Sequence, residues 1–296
     1  RLAHPGRWRA LSAALFAVAL LVKETAVTLP LALLLLDTLA VRRLTANQML
    51  RRQGWHWLVL CGGLLAFAAS PVYRHLFEVS VATRAMFDNL LTQVHAITYL
   101  AGQLLLPWRM NIDPDLPVLT SVTPVLMLEG MAICALIVFA LLSLRRRPWL
   151  AFAILWFFLH LLPTNSVLPR LDVANDRQLY LASIGAFYAL AIGMQEWMRH
   201  ARRAWPACAV FALLLLVLGA ATVQRNQAYA SAVAFWEDAF EKSPGKPRVA
   251  NNLGYAYQQA GRYAQAELAY RKAIELDPDY GQAHINLDVL QSARPR

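Results

Sequence analysis

Residues 163–185 concentrate ionisable chemistry between two apolar runs. They carry Arg170, Asp172, Asn175, Asp176, Arg177 and Tyr180, and close on Ser183-Ile184-Gly185. Arginine beside an acid at the edge of hydrocarbon is costly unless it is paired or aimed at an anionic group. Two readings follow. In one, the stretch is a pocket for the phosphate of a lipid head group, with Arg177 on the phosphate, Asp176 orienting it and Tyr180 donating a hydrogen bond. In the other, it is an interfacial loop of ion pairs with Tyr180 as a belt residue.

Two more places hold candidate groups. Lys23-Glu24 sits between apolar runs with almost no loop. It reads either as an interfacial ion pair or as a cation facing a head group, with Glu24 orienting Lys23. Asp113 and Asp115 stand two apart in a proline-rich stretch, where they form a solvated turn, hold a divalent cation or supply a base. His75, His95 and His160 read as isolated and structural. Cys61, Cys134 and Cys208 each lie in an apolar run and read as small buried hydrophobes. The sequence holds no Gly-rich phosphate loop, nucleophile elbow or Cys/His metal cluster, so no resident metal is expected.

The elements that must position these groups are membrane helices. The 296 residues are 58% hydrophobic and 16% charged, against roughly 45–50% and about 25% in soluble domains. The net charge of +10 falls where membrane topology places it, which removes the argument for a nucleic-acid partner. Eight apolar runs occupy 11–22, 25–40, 55–70, 87–108, 122–144, 149–162, 179–198 and 205–222, with Trp55, Trp57, Trp108, Trp149, Trp197 and Trp205 at their ends. Arg7 and Arg9, then Arg42, Arg43, Arg51 and Arg52, then Arg145-Arg146-Arg147, then Arg199, Arg202 and Arg203 mark cytoplasmic ends. The 163–178 loop and everything after Thr222 then face outward. Between Arg52 and Arg145 an even number of crossings is required. The fourth run, the most polar, is therefore expected to lie at the outer interface or to re-enter, leaving about seven spans. The sixth run is the other candidate.

The character changes after Gln224. Residues 247–280 carry Leu253-Gly254, Tyr257, Ala266, Tyr270, Ala273 and Pro278 at tetratricopeptide-repeat spacing, with Gly261 turning the chain between two helices. Ala250 stands where the pattern has Trp. Ala232, Trp236, Ala239 and Pro244 repeat the second-helix positions, and His284 and Leu287 the first-helix ones. The expected fold is all-α: a polytopic membrane domain over 1–224, then a short helical solenoid over 225–296.

In the order of its motifs the chain resembles the GT-C superfamily of membrane glycosyltransferases, and most closely the transmembrane-and-tetratricopeptide-repeat O-mannosyltransferase family. Four features carry the resemblance: Lys23-Glu24 continuing through Thr28-Leu29-Pro30 to Asp37; Leu105-Leu106-Pro107 followed by Asp113; Asp176-Arg177-Gln178-Leu179-Tyr180 running on to Ser183-Ile184-Gly185; and repeats after the last membrane helix. The chain departs from the family pattern at Asp176, where Glu is usual, and at Ala182, where Pro is usual. The resemblance implies a transferase that moves a sugar, mannose by analogy, from a polyprenyl-phosphate donor to a protein or other acceptor held by the repeats. Arg177, Lys23 and Tyr180 would bind the donor phosphate, supported by Glu24, Asp176 and Asp113. It also implies that the family's catalytic acid lies upstream of Arg1, making this a C-terminal portion; with the orientation read from the arginines, the protein is expected in a bacterial inner membrane with its repeats on the periplasmic or extracytoplasmic side. Two other readings remain: an oligosaccharide ligase or polymerase, and a membrane-tethered repeat scaffold for envelope assembly.

Overall fold

The computed structural model describes residues 5–40, 45–201, 203 and 205–292. Among them the chain is all-α. In order, the helices are α1 (Pro5–Val22), α2 (Leu29–Ala40), α3 (Ala46–Arg52), α4 (Gly54–Ala69), α5 (Pro71–Thr83), α6 (Met86–Leu105), α7 (Pro124–Ser143), α8 (Pro148–Leu161), α9 (Leu179–His200), α10 (Trp205–Ala228), α11 (Ala232–Lys242), α12 (Pro247–Gln259), α13 (Tyr263–Leu276) and α14 (Gly281–Ser292). Short 3-10 turns cover Glu24–Thr28, Pro107–Arg109 and Asp176–Gln178. Proline opens α5, α7, α8 and α12, where its missing N–H costs nothing. Thr45 and Gln48 form a reciprocal capping box on α3.

Two helices among the described residues, α7 and α10, are long and apolar enough to cross a membrane. A third span arises if α4 and α5, bent by 78° at Ser70, count as one. The expectation of about seven spans is not reached on length and composition, because several runs are cut short by Pro or polar breaks. The 14-residue α8, for example, rises about 21 Å against a hydrocarbon core of about 30 Å. The stretch between the third and fourth apolar runs is mostly the helix α5, started by Pro71. The arginines at 7, 9, 51, 52, 145–147, 199 and 203 are exposed; Arg42, Arg43 and Arg202 lie outside the described residues. Cys61, Cys134 and Cys208 are exposed rather than buried, because they sit on outer faces of apolar helices.

The chain divides into two compact units. One comprises Arg1–Ala101, Val118–Val173 and Gln178–Ala204. Its centre is α8, apolar all round and packed by α2, α7 and α9. α8 and α9 meet at Gly185, where an added Cβ would stand 2.2 Å from the Ala153 carbonyl oxygen. Helix α6 turns Asn89, Thr92 and Gln93 inward, all but fully buried. Asn89 Nδ2 donates to the carbonyls of Ser166 (2.8 Å) and Val167 (3.1 Å), Gln93 Nε2 to that of Val173 (3.3 Å), and Asn165 Nδ2 to Gln93 Oε1 (2.8 Å). The polar positions of α6, ascribed above to an interfacial run, thus satisfy backbone groups of the loop that follows α8. His95 is not isolated: its Nδ1 lies 3.0 and 3.2 Å from the Glu129 carboxylate oxygens.

The second unit comprises Gly102–Pro117, Ala174–Arg177 and Trp205–Arg296. It holds α10 and the repeats, α11 through α14, and it draws in two segments from far upstream. In the full repeat, Tyr270 is fully buried beneath Gly254. Ala250, Ala273 and Ala283 form one apolar cluster and Ala266, Tyr270 and Leu290 another, the latter flanked by Tyr257 and Leu287. Gly261 takes φ +74, the left-handed conformation that ends α12, and Arg262 N–H closes back onto the Tyr257 carbonyl at 2.9 Å. Pro278 lies in the turn before α14, its carbonyl 2.8 Å from His284 Nε2.

Candidate functional site

The segment between the Pro107–Arg109 turn and α7 is a strap laid on the repeats. Ile112, 4% exposed, enters an apolar cluster with Ala239 and Val249, flanked by Phe235, Trp236 and Phe240. Asp113 is equally buried, and its two oxygens are taken by Lys246 and Arg248, the latter through Nε at 2.8 Å and Nη2 at 2.7 Å. Asn111 Nδ2 and the Asp115 N–H both donate to Ser243 Oγ, at 2.8 and 3.0 Å. Gly245 leaves room for Asp115, whose Oδ2 would stand 2.6 Å from an added Cβ. Asp113 is therefore not solvated, whereas Asp115 is exposed. A cation pair on the repeats commits Asp113, and among the described residues no group of three His, Cys, Asp or Glu is placed to hold a metal.

The second acid is committed in the same way. Asp176 is buried, and its Oδ2 accepts from Arg225 Nη2 at 2.6 Å. Arg225 Nη1 reaches Asp238 Oδ2 at 2.6 Å, and Lys242 Nζ reaches Asp238 Oδ1 at 2.6 Å. Asp176 does not orient Arg177, because its charge is answered by the nearer, more buried Arg225. Asn175 does so instead: its Oδ1 accepts from the Arg177 N–H at 2.9 Å and from its Nε at 3.2 Å. Arg177 is exposed, and among the described residues its two terminal nitrogens carry no partner. Such a planar fork is able to take an anion with two oxygens.

Lys23, Glu24 and Tyr180 belong to the other unit. Lys23 is exposed and extended (φ −153, ψ 130) at the break between α1 and the Glu24–Thr28 turn. The Glu24 side chain lies outside the described residues. Tyr180 is 80% exposed in the first turn of α9. Asp37 faces Arg52 at 3.8 Å.

On the repeats, burial pushes the Tyr270 phenol up to about 12, and its hydroxyl donates to Gln258 Oε1 at 2.6 Å. Burial, then Glu237, raises Tyr257 as well. Sequence reasoning missed Asn111, Arg225, Asp238, Ser243, Lys246 and Arg248. Arg225 reads as one more basic residue at the end of an apolar run, and nothing local marks its partners 49 and 13 residues away.

The family model for the tetratricopeptide repeat matches residues 247–280, the bounds expected from the spacing. Protein O-mannosyl-transferase Tmtc3 of Drosophila melanogaster is 28% identical over 135 residues, 45% of this chain and 15% of that protein. Protein O-mannosyl-transferase Tmtc1 of the same organism is 30% identical over 152 residues, 48% of this chain and 17% of that protein. The chain is similar to protein O-mannosyl-transferases. It spans about a sixth of the length of these relatives. No solved structure matches it.

Proposed function

We propose that this chain is part of a membrane glycosyltransferase that moves a sugar from a polyprenyl-phosphate donor to a protein acceptor on the outer side of a membrane. The carrying observation is the exposed Arg177 fork, aimed by Asn175 and anchored through the next-door Asp176. The similarity to protein O-mannosyl-transferases supports mannose as the sugar. A lipid-linked donor keeps its phosphate at the interface, and a fixed cation stabilises that phosphate as it leaves. Lys23 and Tyr180, in the other unit, are separate candidates for a cation and a hydrogen-bond donor, as the resemblance implies. The repeats hold the acceptor polypeptide.

The test is turnover of polyprenyl-phosphate mannose by the full-length protein, normalised to folded protein, for wild type, Arg177→Lys and Arg177→Ala. Lysine keeps the charge and loses the fork; alanine loses both. The expected loss for alanine is roughly a hundredfold to a thousandfold, about 3–4 kcal/mol. Near-wild-type turnover by Arg177→Ala would take this segment out of the donor site.

A further inference from the structure

The segment that carries Arg177 is fastened at two points, and both lead to the first repeat helix. The Asp176 N–H donates to the Asn111 carbonyl at 3.2 Å, and Asn111 in turn reaches Ser243 just beyond α11. The Asp176 carboxylate meets Arg225, whose other terminal nitrogen holds Asp238 on α11. Lys242, one turn further, takes the second oxygen of Asp238 and the Met110 carbonyl at 3.0 Å.

This bridge is not saturated. Asp176 Oδ1 and Arg225 Nε are buried and have no hydrogen-bond partner. Buried groups of this kind are normally matched. The two unmatched atoms define a second arrangement. Were Arg225 to turn its Nε and Nη2 together onto both oxygens of Asp176, it would release Asp238, which Lys242 already holds. The first arrangement ties α11 to the Arg177 segment; the second frees it.

We infer that Arg225 is a positioning residue that couples the first repeat helix to the Asn175–Arg177 segment, so that a polypeptide bound on the repeats sets the aim of the donor-binding arginine. The inference rests on the reading of Arg177 given under Proposed function. A simple structural staple would need only one acid, and lysine would serve. A bridge between two acids on different segments needs the planar guanidinium.

The experiment uses the whole chain in lipid nanodiscs, as wild type, Asp238→Asn, Arg225→Gln and Arg177→Ala. Asp238→Asn cuts the repeat side of the bridge and leaves Arg225 on Asp176, so it decides the matter should Arg225→Gln fail to fold. One readout is hydrogen exchange at residues 174–178, with α13 as the internal control. The other is binding of polyprenyl phosphate. The expected result is faster exchange at 174–178 in Asp238→Asn with α13 unchanged, and affinity weakened roughly tenfold. In the Arg177→Ala background Asp238→Asn should have no further effect on affinity. Unchanged exchange at 174–178, or loss of protection spread equally into α13, overturns the coupling. Wild type that exchanges as expected but binds no polyprenyl phosphate would instead sink the proposed function, leaving the exchange comparison to decide the coupling.

Discussion

Asp113 shows how far one buried charge can organise a segment. Its carboxylate satisfies Lys246 and Arg248 together, and its neighbour Ile112 fills an apolar cluster. Asp113→Asn leaves both cations without their counter-charge. The expected destabilisation of the repeats is about 3 kcal/mol, the low end for a broken buried pair, because Lys246 and Arg248 keep some solvent access. Chemical unfolding in detergent, followed by proteolysis within α12 and α13, measures it. Tyr270 gives a pH prediction. Its folded pKa, about 12, stands above the ordinary value of 10.0, so on raising the pH the unfolded chain ionises first and binds fewer protons. Stability of the repeats is therefore fully present below pH 10 and falls between pH 10 and about 12. Tyr270→Phe should be less stable at neutral pH, losing the bond to Gln258, but should lack that share of the alkaline decline. Thermal melts at neutral and alkaline pH compare the two. Neither effect was legible in full. The repeat spacing named Tyr270, since its neighbours recur within one helix pair. Asp113 appeared only as an acid in a loop, because its partners stand 133 and 135 residues further along and no local pattern encodes such a pairing.

Glycines set how closely helices approach, and two of them decide element pairs. At Gly254 an added Cβ would lie 2.6 Å from Tyr270 Cδ1, whose ring is locked beneath α12. Gly254→Leu should cost about 3 kcal/mol or more by overpacking and open the α12–α13 pair while the remaining helices keep their protection. Limited proteolysis of the whole chain is the appropriate readout. A fragment of the repeats alone would lack Ile112 and the strap that completes their first cluster. At Gly185 the clash is with backbone, at 2.2 Å from the Ala153 carbonyl oxygen, and no side chain can yield. Gly185→Ala should separate α8 from α9 and lower the melting temperature of the unit that holds them. An unchanged melt would show that the two helices are not in contact there. The Ser183-Ile184-Gly185 motif thus has a packing reason apart from any donor. At this scale the sequence announced the helix pair of the repeat through its 34-residue period. It did not announce α5, because the break at Ser70-Pro71 resembles the end of a span.

At the scale of the whole chain, the contacts within the repeat unit constrain topology. Asp113 touches Lys246 and Arg248, and Asp176 touches Arg225 at the end of α10. Residues 110–115, 174–177 and the repeats therefore share one side of a membrane. The chain between Pro117 and Ala174 contains α7 and α8, and that between Arg177 and the repeats contains α9 and α10. Each pair must cross an even number of times. If α7 and α10, which are long and apolar enough, do span, this parity predicts that α8 and α9 cross as well. Helix α9, at 22 residues, rises about 33 Å and has the length to do so, although its polar C-terminal turns leave it less apolar than α7 and α10. Helix α8 is short, but its chain continues into buried Thr164 and Asn165, whose polar groups are matched by the Leu161 carbonyl and Gln93. Non-helical backbone is tolerated at membrane depth where protein buries and satisfies it, which a crossing completed by this loop would require. By the positive-inside rule, the arginines at 145–147, 199 and 203 predict cytoplasmic ends between α7 and α8 and between α9 and α10. Reporter fusions after Arg147 and Arg203 should give a cytoplasmic signal, and fusions after Ser121, Gln178 and Gly245 an outer one. Opposite signals at Gln178 and Gly245 would be incompatible with the Asp176–Arg225 contact. A shared signal at Arg147 and Gln178 would mean that α8 does not cross, and that its short apolar helix is a buried element of the protein and not a span.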